Sequence, residues 1–187
     1  LAGTLMCRLV DFGVDRSEYP VSALEFMDEH DLSGRLVVTF NWAQYALAAL
    51  NPDTTVCFDG RFRTCYPQSV IDMNFDLTNG VHGKFRSRTD GDANPDPTRV
   101  LRYYDPQLVL LDRKLDRHGT DLMSRTDGGS LLYRDEIAEL WGRSDQFDDP
   151  GSPLFLSQEQ RRIDEAPQTG IAAWPAFPNL AGRMAFC

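Results

Sequence analysis

Asn41, Trp42, Asp59, Arg61 and Tyr66 are the residues whose types and spacing suggest a ligand site. Asn41-Trp42 follows the apolar run 35–40, and Asp59-Gly60-Arg61 follows the apolar run 54–58. Both groups therefore stand where a buried strand would end. In open α/β sheets ligands bind beyond the carboxyl ends of strands, near a reversal in strand order. An amide, a carboxylate, a guanidinium and two aromatic rings gathered there would form a polar site of sugar or phosphate size. A plainer reading competes with this one: Asn41 is only a helix cap, Trp42 only core, and Asp59 pairs locally with Arg61. No catalytic residue is singled out by the pattern.

Other constellations are weaker. Asp90-x-Asp92-x-Asn94-x-Asp96 has the oxygen spacing of the first positions of a calcium loop. That loop requires Gly at its sixth place and Glu at its twelfth, where this chain has Pro95 and Leu101. A solvated acidic loop is the better reading. His30, His82 and His118 lie far apart, and none of Cys7, Cys57, Cys65 and Cys187 forms a C-x-x-C pair, so neither a metal nor a cofactor is expected. The disulfide status of the four cysteines stays open. Dinucleotide, P-loop, nucleophile-elbow and H-E-x-x-H motifs are all missing from the sequence.

The elements that would position the site alternate along the chain. Residues 4–14 read as a strand or extended lead-in, and Ser17-Glu18-Tyr19-Pro20 opens a helix that Gly34 closes. Strand 35–40 leads through Asn41, a good N-cap, into helix 42–50. Strand 54–58 is followed by a helix over 67–77, an exposed loop over 81–97, a short helix over 98–104 and a buried strand over 107–111. A helical patch over 121–125 precedes 131–134 and 137–142, which read as an antiparallel hairpin turning on Asp135-Glu136. The alternation predicts an α/β fold: a three-layer α/β/α domain over 1–143, with a mainly parallel sheet ending in the antiparallel hairpin. Residues 144–187, with a helical patch over 157–165, read as an irregular Pro-containing C-terminal tail packed on that domain.

Bulk composition narrows the partners. Hydrophobic residues make up 42% and charged residues 25%, ordinary values for a folded domain that needs no staple. A net charge of −9 without a Lys/Arg cluster argues against nucleic acid, whose phosphates need neutralising. No stretch of sequence reaches the length of a membrane span, and a chain starting at Leu1 reads as a piece of a longer protein.

Several phrases resemble a known architecture in their order. They are Tyr19-Pro20-Val21, Ala23-Leu24-Glu25-Phe26, Gly34-Arg35-Leu36, Asn41-Trp42, Tyr45 and Val56-Cys57-Phe58-Asp59-Gly60-Arg61. Tyr103-Tyr104-Asp105-Pro106-Gln107-Leu108-Val109-Leu110-Leu111 and the hairpin phrases Leu132-Tyr133-Arg134-Asp135 and Ala138-Glu139-Leu140-Trp141 continue the series. Over residues 19–143 the chain resembles the soluble C-terminal domain of bacterial multi-spanning membrane proteins related to lipid-linked-sugar (GT-C type) glycosyltransferases. It departs from them at Ala43-Gln44-Tyr45, where their second helix begins Gly-Gly-Tyr. A more distant likeness is to the Trp-Trp-Asp-Tyr-Gly site of oligosaccharyltransferases, of which Asn41–Tyr45 keeps the Trp and Tyr but lacks the Asp and Gly. The resemblance implies an extracytoplasmic, periplasmic location and a membrane-embedded remainder holding the catalytic acids. It also implies a non-catalytic role in acceptor recognition or structural support, with a glycan or lipid-linked sugar as partner. Three alternatives stand beside it: a free-standing enzyme using Asp59 and Arg61, a carbohydrate- or phosphate-binding module, and a sensor or protein-interaction domain.

Overall fold

The computed structural model describes residues 13–50, 52–80 and 96–173. Pro20 precedes helix α1 (Val21–Glu29), whose residues Val21, Ala23, Leu24, Phe26 and Met27 are buried. Gly34, at φ +111°, lets the chain turn into β2 (Gly34–Val38); β1 is the short strand Gly13–Asp15. A 3-10 turn, Phe40–Trp42, leads into α2 (Ala43–Leu50), followed by β3 (Thr54–Val56). Then come α3 (Gln68–Asn79), α4 (Arg99–Tyr104), β4 (Leu108–Asp112) and α5 (Arg117–Met123). The hairpin strands are β5 (Gly129–Arg134) and β6 (Ala138–Arg143). The last described elements are α6 (Ser144–Phe147), β7 (Arg162–Ile163) and β8 (Ile171–Ala173).

Six strands form the main sheet in the order β3-β2-β4-β6-β5-β7. β2 pairs parallel with β3 and β4, β5 pairs parallel with β7, and β6 alone runs against its neighbours. The fold is α/β, and alternation along each strand explains its three layers. Leu36 and Val38, Leu108 and Leu110, and Ala138 and Leu140 face α1, α2 and α6 on one side. Val37, Val109, Leu111 and Trp141 face α3, α4 and α5 on the other. The pattern slips once, where a bulge between Leu131 and Tyr133 turns Leu132 and Tyr133 to the same face.

Three expectations need correction. The antiparallel strand is not at the end of the sheet: β6 lies between β4 and β5. Its five residues Ala138–Gly142 are all buried, as a central strand requires, and its Glu139 is tolerated because Arg134 Nε (3.1 Å) and Trp141 Nε1 (3.1 Å) donate to it. The hairpin turn needs no Gly, because Asp135 Oδ1 accepts hydrogen bonds from the Ile137 and Ala138 amides at 2.8 and 2.7 Å. Residues 144–173 are irregular over most of their length but hold three short elements, α6, β7 and β8. The stretch read as a helical patch over 157–165 instead contains β7, which joins the sheet edge beside β5, while β8 pairs with β1 across Gly13–Ala173. Third, Asn41 is not a helix N-cap; it sits inside the 3-10 turn, where the Trp42 amide already donates to the Thr39 carbonyl at 2.9 Å. The lead-in before residue 13, the loop residues 81–95 with Asp90, Asp92 and Asn94, and residues 174–187 lie outside the described residues.

Candidate functional site

The chain leaves β2 toward α2 on one face of the sheet and leaves β4 toward α5 on the opposite face. Connections that part to opposite faces open a crevice at the carboxyl ends of adjacent parallel strands. A crevice of about 610 Å³ lies here. Phe40, Asn41, Trp42 and Gln44 line it from the β2 side, Asp112, Lys114 and Leu115 from the β4 side, and Ser17–Tyr19 close it from above.

Two amides face this space unengaged. The side chains of Asn41 and Gln44 are exposed and bond no described residue. Trp42 serves a different purpose from that of a ligand platform. It is 2% exposed, and its Nε1 donates to the Glu18 carbonyl at 2.8 Å, fixing the Ser17–Tyr19 segment over the crevice. Tyr19 is half-buried, with its ring 5.2 Å from that of Tyr45, and it presents an aromatic wall.

Asp59, Arg61 and Tyr66 form a separate cluster beside the crevice, which they join only through Gly60. Asp59 is 1% exposed. It accepts from the Arg61 amide (2.9 Å), from Arg61 Nε (3.0 Å) and Nη2 (2.6 Å), and from the Tyr66 hydroxyl (2.8 Å). The Arg61 hydrogen bonds hold the Asp59 carboxyl below its ordinary range, and Asp59 in turn raises the guanidinium. Beneath the turn, Phe58 packs against Phe40, Phe62, Tyr66 and Phe75 with ring centroids 5.2–5.6 Å apart. The Asp59 carboxylate is therefore spent on its neighbours, while the Arg61 guanidinium holds it through Nε and Nη2 and stays largely exposed. Of the five candidate residues, the fold brings Asn41 and Trp42 to the crevice and gathers Asp59, Arg61 and Tyr66 into this clamp.

Asp112 also lines the crevice, braced by Thr39, which in turn holds Asp116; the first two strand ends do not point to these residues. Asp112 ends β4 and is 7% exposed, with Oδ1 accepting from the Lys114 amide (2.7 Å) and the Leu115 amide (2.9 Å). Thr39 Oγ1 accepts from the Asp112 amide (2.8 Å) and donates to Asp116 Oδ2, stitching β2 to β4 and α5. Burial, with Asp112 nearby, pushes the Asp116 carboxyl up to about 6. The signal for these residues was Leu110-Leu111-Asp112, a carboxylate ending the most apolar strand, on the same strand-end rule that named Asp59.

Among the described residues, no group of three or more His, Cys, Asp or Glu side chains is placed to hold a metal ion. Cys57 is buried, which pushes its thiol up to about 12, far from the thiolate that a nucleophile needs. No helix of the described residues is long and apolar enough to cross a membrane. No protein-family model, curated protein or solved structure matches the chain.

Proposed function

We propose that this chain is a non-catalytic recognition domain that holds a glycan, or the sugar of a lipid-linked donor, in the crevice at the ends of β2 and β4. It serves an extracytoplasmic, membrane-embedded glycosyltransferase-like protein of the kind it resembles, whose remaining segments supply the catalysis. The observation that supports this reading is the chemistry of the crevice walls. Free amides on Asn41 and Gln44 line the crevice together with the Tyr19 ring and the exposed Leu115 side chain. Sugars offer hydroxyl pairs along their edges and C–H patches on their faces, and a crevice lined by both polar groups (Glu18, Asn41, Gln44, Asp112) and apolar ones (Tyr19, Phe40, Leu115) can meet both. A phosphate site would favour a surplus of cations, whereas Lys114 lines this crevice together with the acids Glu18 and Asp112, and Arg61 is paired with Asp59 outside it.

Titration of the purified chain with neutral oligosaccharides, followed by saturation-transfer NMR, tests the reading. Losing one amide hydrogen bond costs on the order of 1 kcal/mol, so Asn41→Ala combined with Gln44→Ala weakens binding by roughly tenfold or more. Unchanged affinity in that double variant rejects the crevice as the site. Turnover of an activated sugar donor by the isolated chain, abolished by Asp59→Asn, overturns the non-catalytic role.

A further inference from the structure

Resting on that carbohydrate reading, we propose that Asp112 is the selectivity residue of the crevice. Its free carboxylate oxygen accepts ligand hydroxyls, so the site takes neutral polyols and rejects phosphorylated or carboxylated ones.

The side chain is held with one oxygen committed and one available. Oδ1 is saturated by the Lys114 and Leu115 amides, while Oδ2 receives no hydrogen bond from any described residue. The backbone of Asp112 cannot swing to change this. Its N–H is bound to Thr39 Oγ1 at 2.8 Å, and its carbonyl accepts the Asp116 amide at 2.8 Å. Nor does a cation neutralise it. The nearest ammonium on its own loop, Lys114 Nζ, lies 3.7 Å from Glu136 Oε1 instead, and Arg113 is turned to Glu165 and to the Asp135 carbonyl. The residue is 7% exposed, yet Oδ2 is not among the fully buried atoms left without a partner, so it opens to the crevice, where water or a ligand hydroxyl supplies its donor.

An ionised carboxylate is acceptor-only, so whatever meets Oδ2 must carry O–H or N–H. A vicinal diol does. A phosphate or uronate oxygen brings no proton and meets a second negative charge at short range. Glu18 at the mouth of the crevice adds to that repulsion.

The test compares methyl hexopyranosides with the matching hexose 6-phosphates, titrated into the intact chain at fixed ionic strength. The neutral sugar is expected to bind at least tenfold more tightly. Asp112→Asn, which keeps an oxygen for the loop amides and turns the free acceptor into a donor, is expected to lose most of that binding and to narrow the discrimination. Should the variant fail to fold, the side-chain carboxyl 13C resonance of Asp112 in the unsubstituted chain decides. A shift on adding the neutral sugar supports the assignment, and an unmoved resonance overturns it. If neither sugar binds, the carbohydrate reading itself falls and takes this inference with it. If both bind equally, if the phosphate is preferred, or if Asp112→Asn binds like the parent, the crevice remains a sugar site and only the role of Asp112 is lost.

Discussion

Two buried carboxylates titrate with opposite signs in this molecule, and each leaves a mark on stability. Asp59 is held below its ordinary range by Arg61, so it stabilises the fold above the unfolded carboxylate value, a contribution lost as pH falls through the lowered native value. Asp116 is raised, so the native state binds the proton more tightly and stability declines as pH climbs from the unfolded value toward about 6. A rise from 3.8 to about 6 corresponds to a cost near pH 7 of roughly 3 kcal/mol at most. Asp116→Asn keeps an acceptor for Thr39 and cannot ionise. Its thermal midpoint should match the parent near pH 4 and exceed it near pH 7; a difference that stays constant across that range contradicts the assignment. Asp59→Ala strands the Tyr66 hydroxyl and the Arg61 amide, and should destabilise the fold by about 1–3 kcal/mol. Arg61→Ala leaves a buried carboxylate without its cation and should cost a similar amount. Thermal melts of both variants check this, and midpoints unchanged in both would return the pair to the list of ligand contacts. The types of these residues were legible in the sequence. Whether Asp59 faced a crevice or its own neighbours depended on Phe58 and Tyr66 packing around it, which no local pattern encodes.

At the level of elements, close approaches decide more than propensities. A Cβ on Gly142 would meet Phe147 Cδ2 at 2.4 Å and Leu132 Cδ1 at 2.7 Å, with α6 and β5 closing around β6. Gly142→Ala should therefore cost about 1–3 kcal/mol by overpacking, read as a lower denaturation midpoint in urea with an unchanged slope. A neutral result means that α6 can lift away from β6 freely. The same strand shows where sequence reading stopped. The run 137–142 reads as a strand and, with 131–134, as a hairpin, although Asp135-Glu136 is not a favoured turn dipeptide. The position of that hairpin in the sheet was invisible, because Glu139 reads as a solvent-facing residue until Arg134 and Trp141 are seen to engage it. Strands β2, β3 and β4 were readable because each is a short apolar run flanked by turn residues. β7 and β8 were not, since Arg162–Ile163 is only two residues long and Ile171–Ala173 pairs with a partner far away in the chain.

Across the whole molecule, the edges of the sheet are managed differently at its two ends. At β3 the open edge is only three residues long, Thr54–Val56, which limits what another strand can pair with. At the other end β7 covers β5, and the buried apolar residues among those described end at Leu156. Removing residues 157–187 should therefore leave a folded core with a bare β5 edge that self-associates as concentration rises. Sedimentation velocity over a concentration series tests this, and a monomer throughout contradicts it. The insertion of β6 between β4 and β5 also sets an order of events for a chain emerging from the ribosome. β2, β3 and β4 are made in sequence and can pair at once, but β5 emerges before the strand that must lie between it and β4. It has no correct neighbour until β6 appears and folds back on it. The inner edge of β4 thus waits, open to capture by a second nascent chain, through the synthesis of α5 and β5. Completion of residues 138–143 is the moment at which the two halves of the sheet are joined.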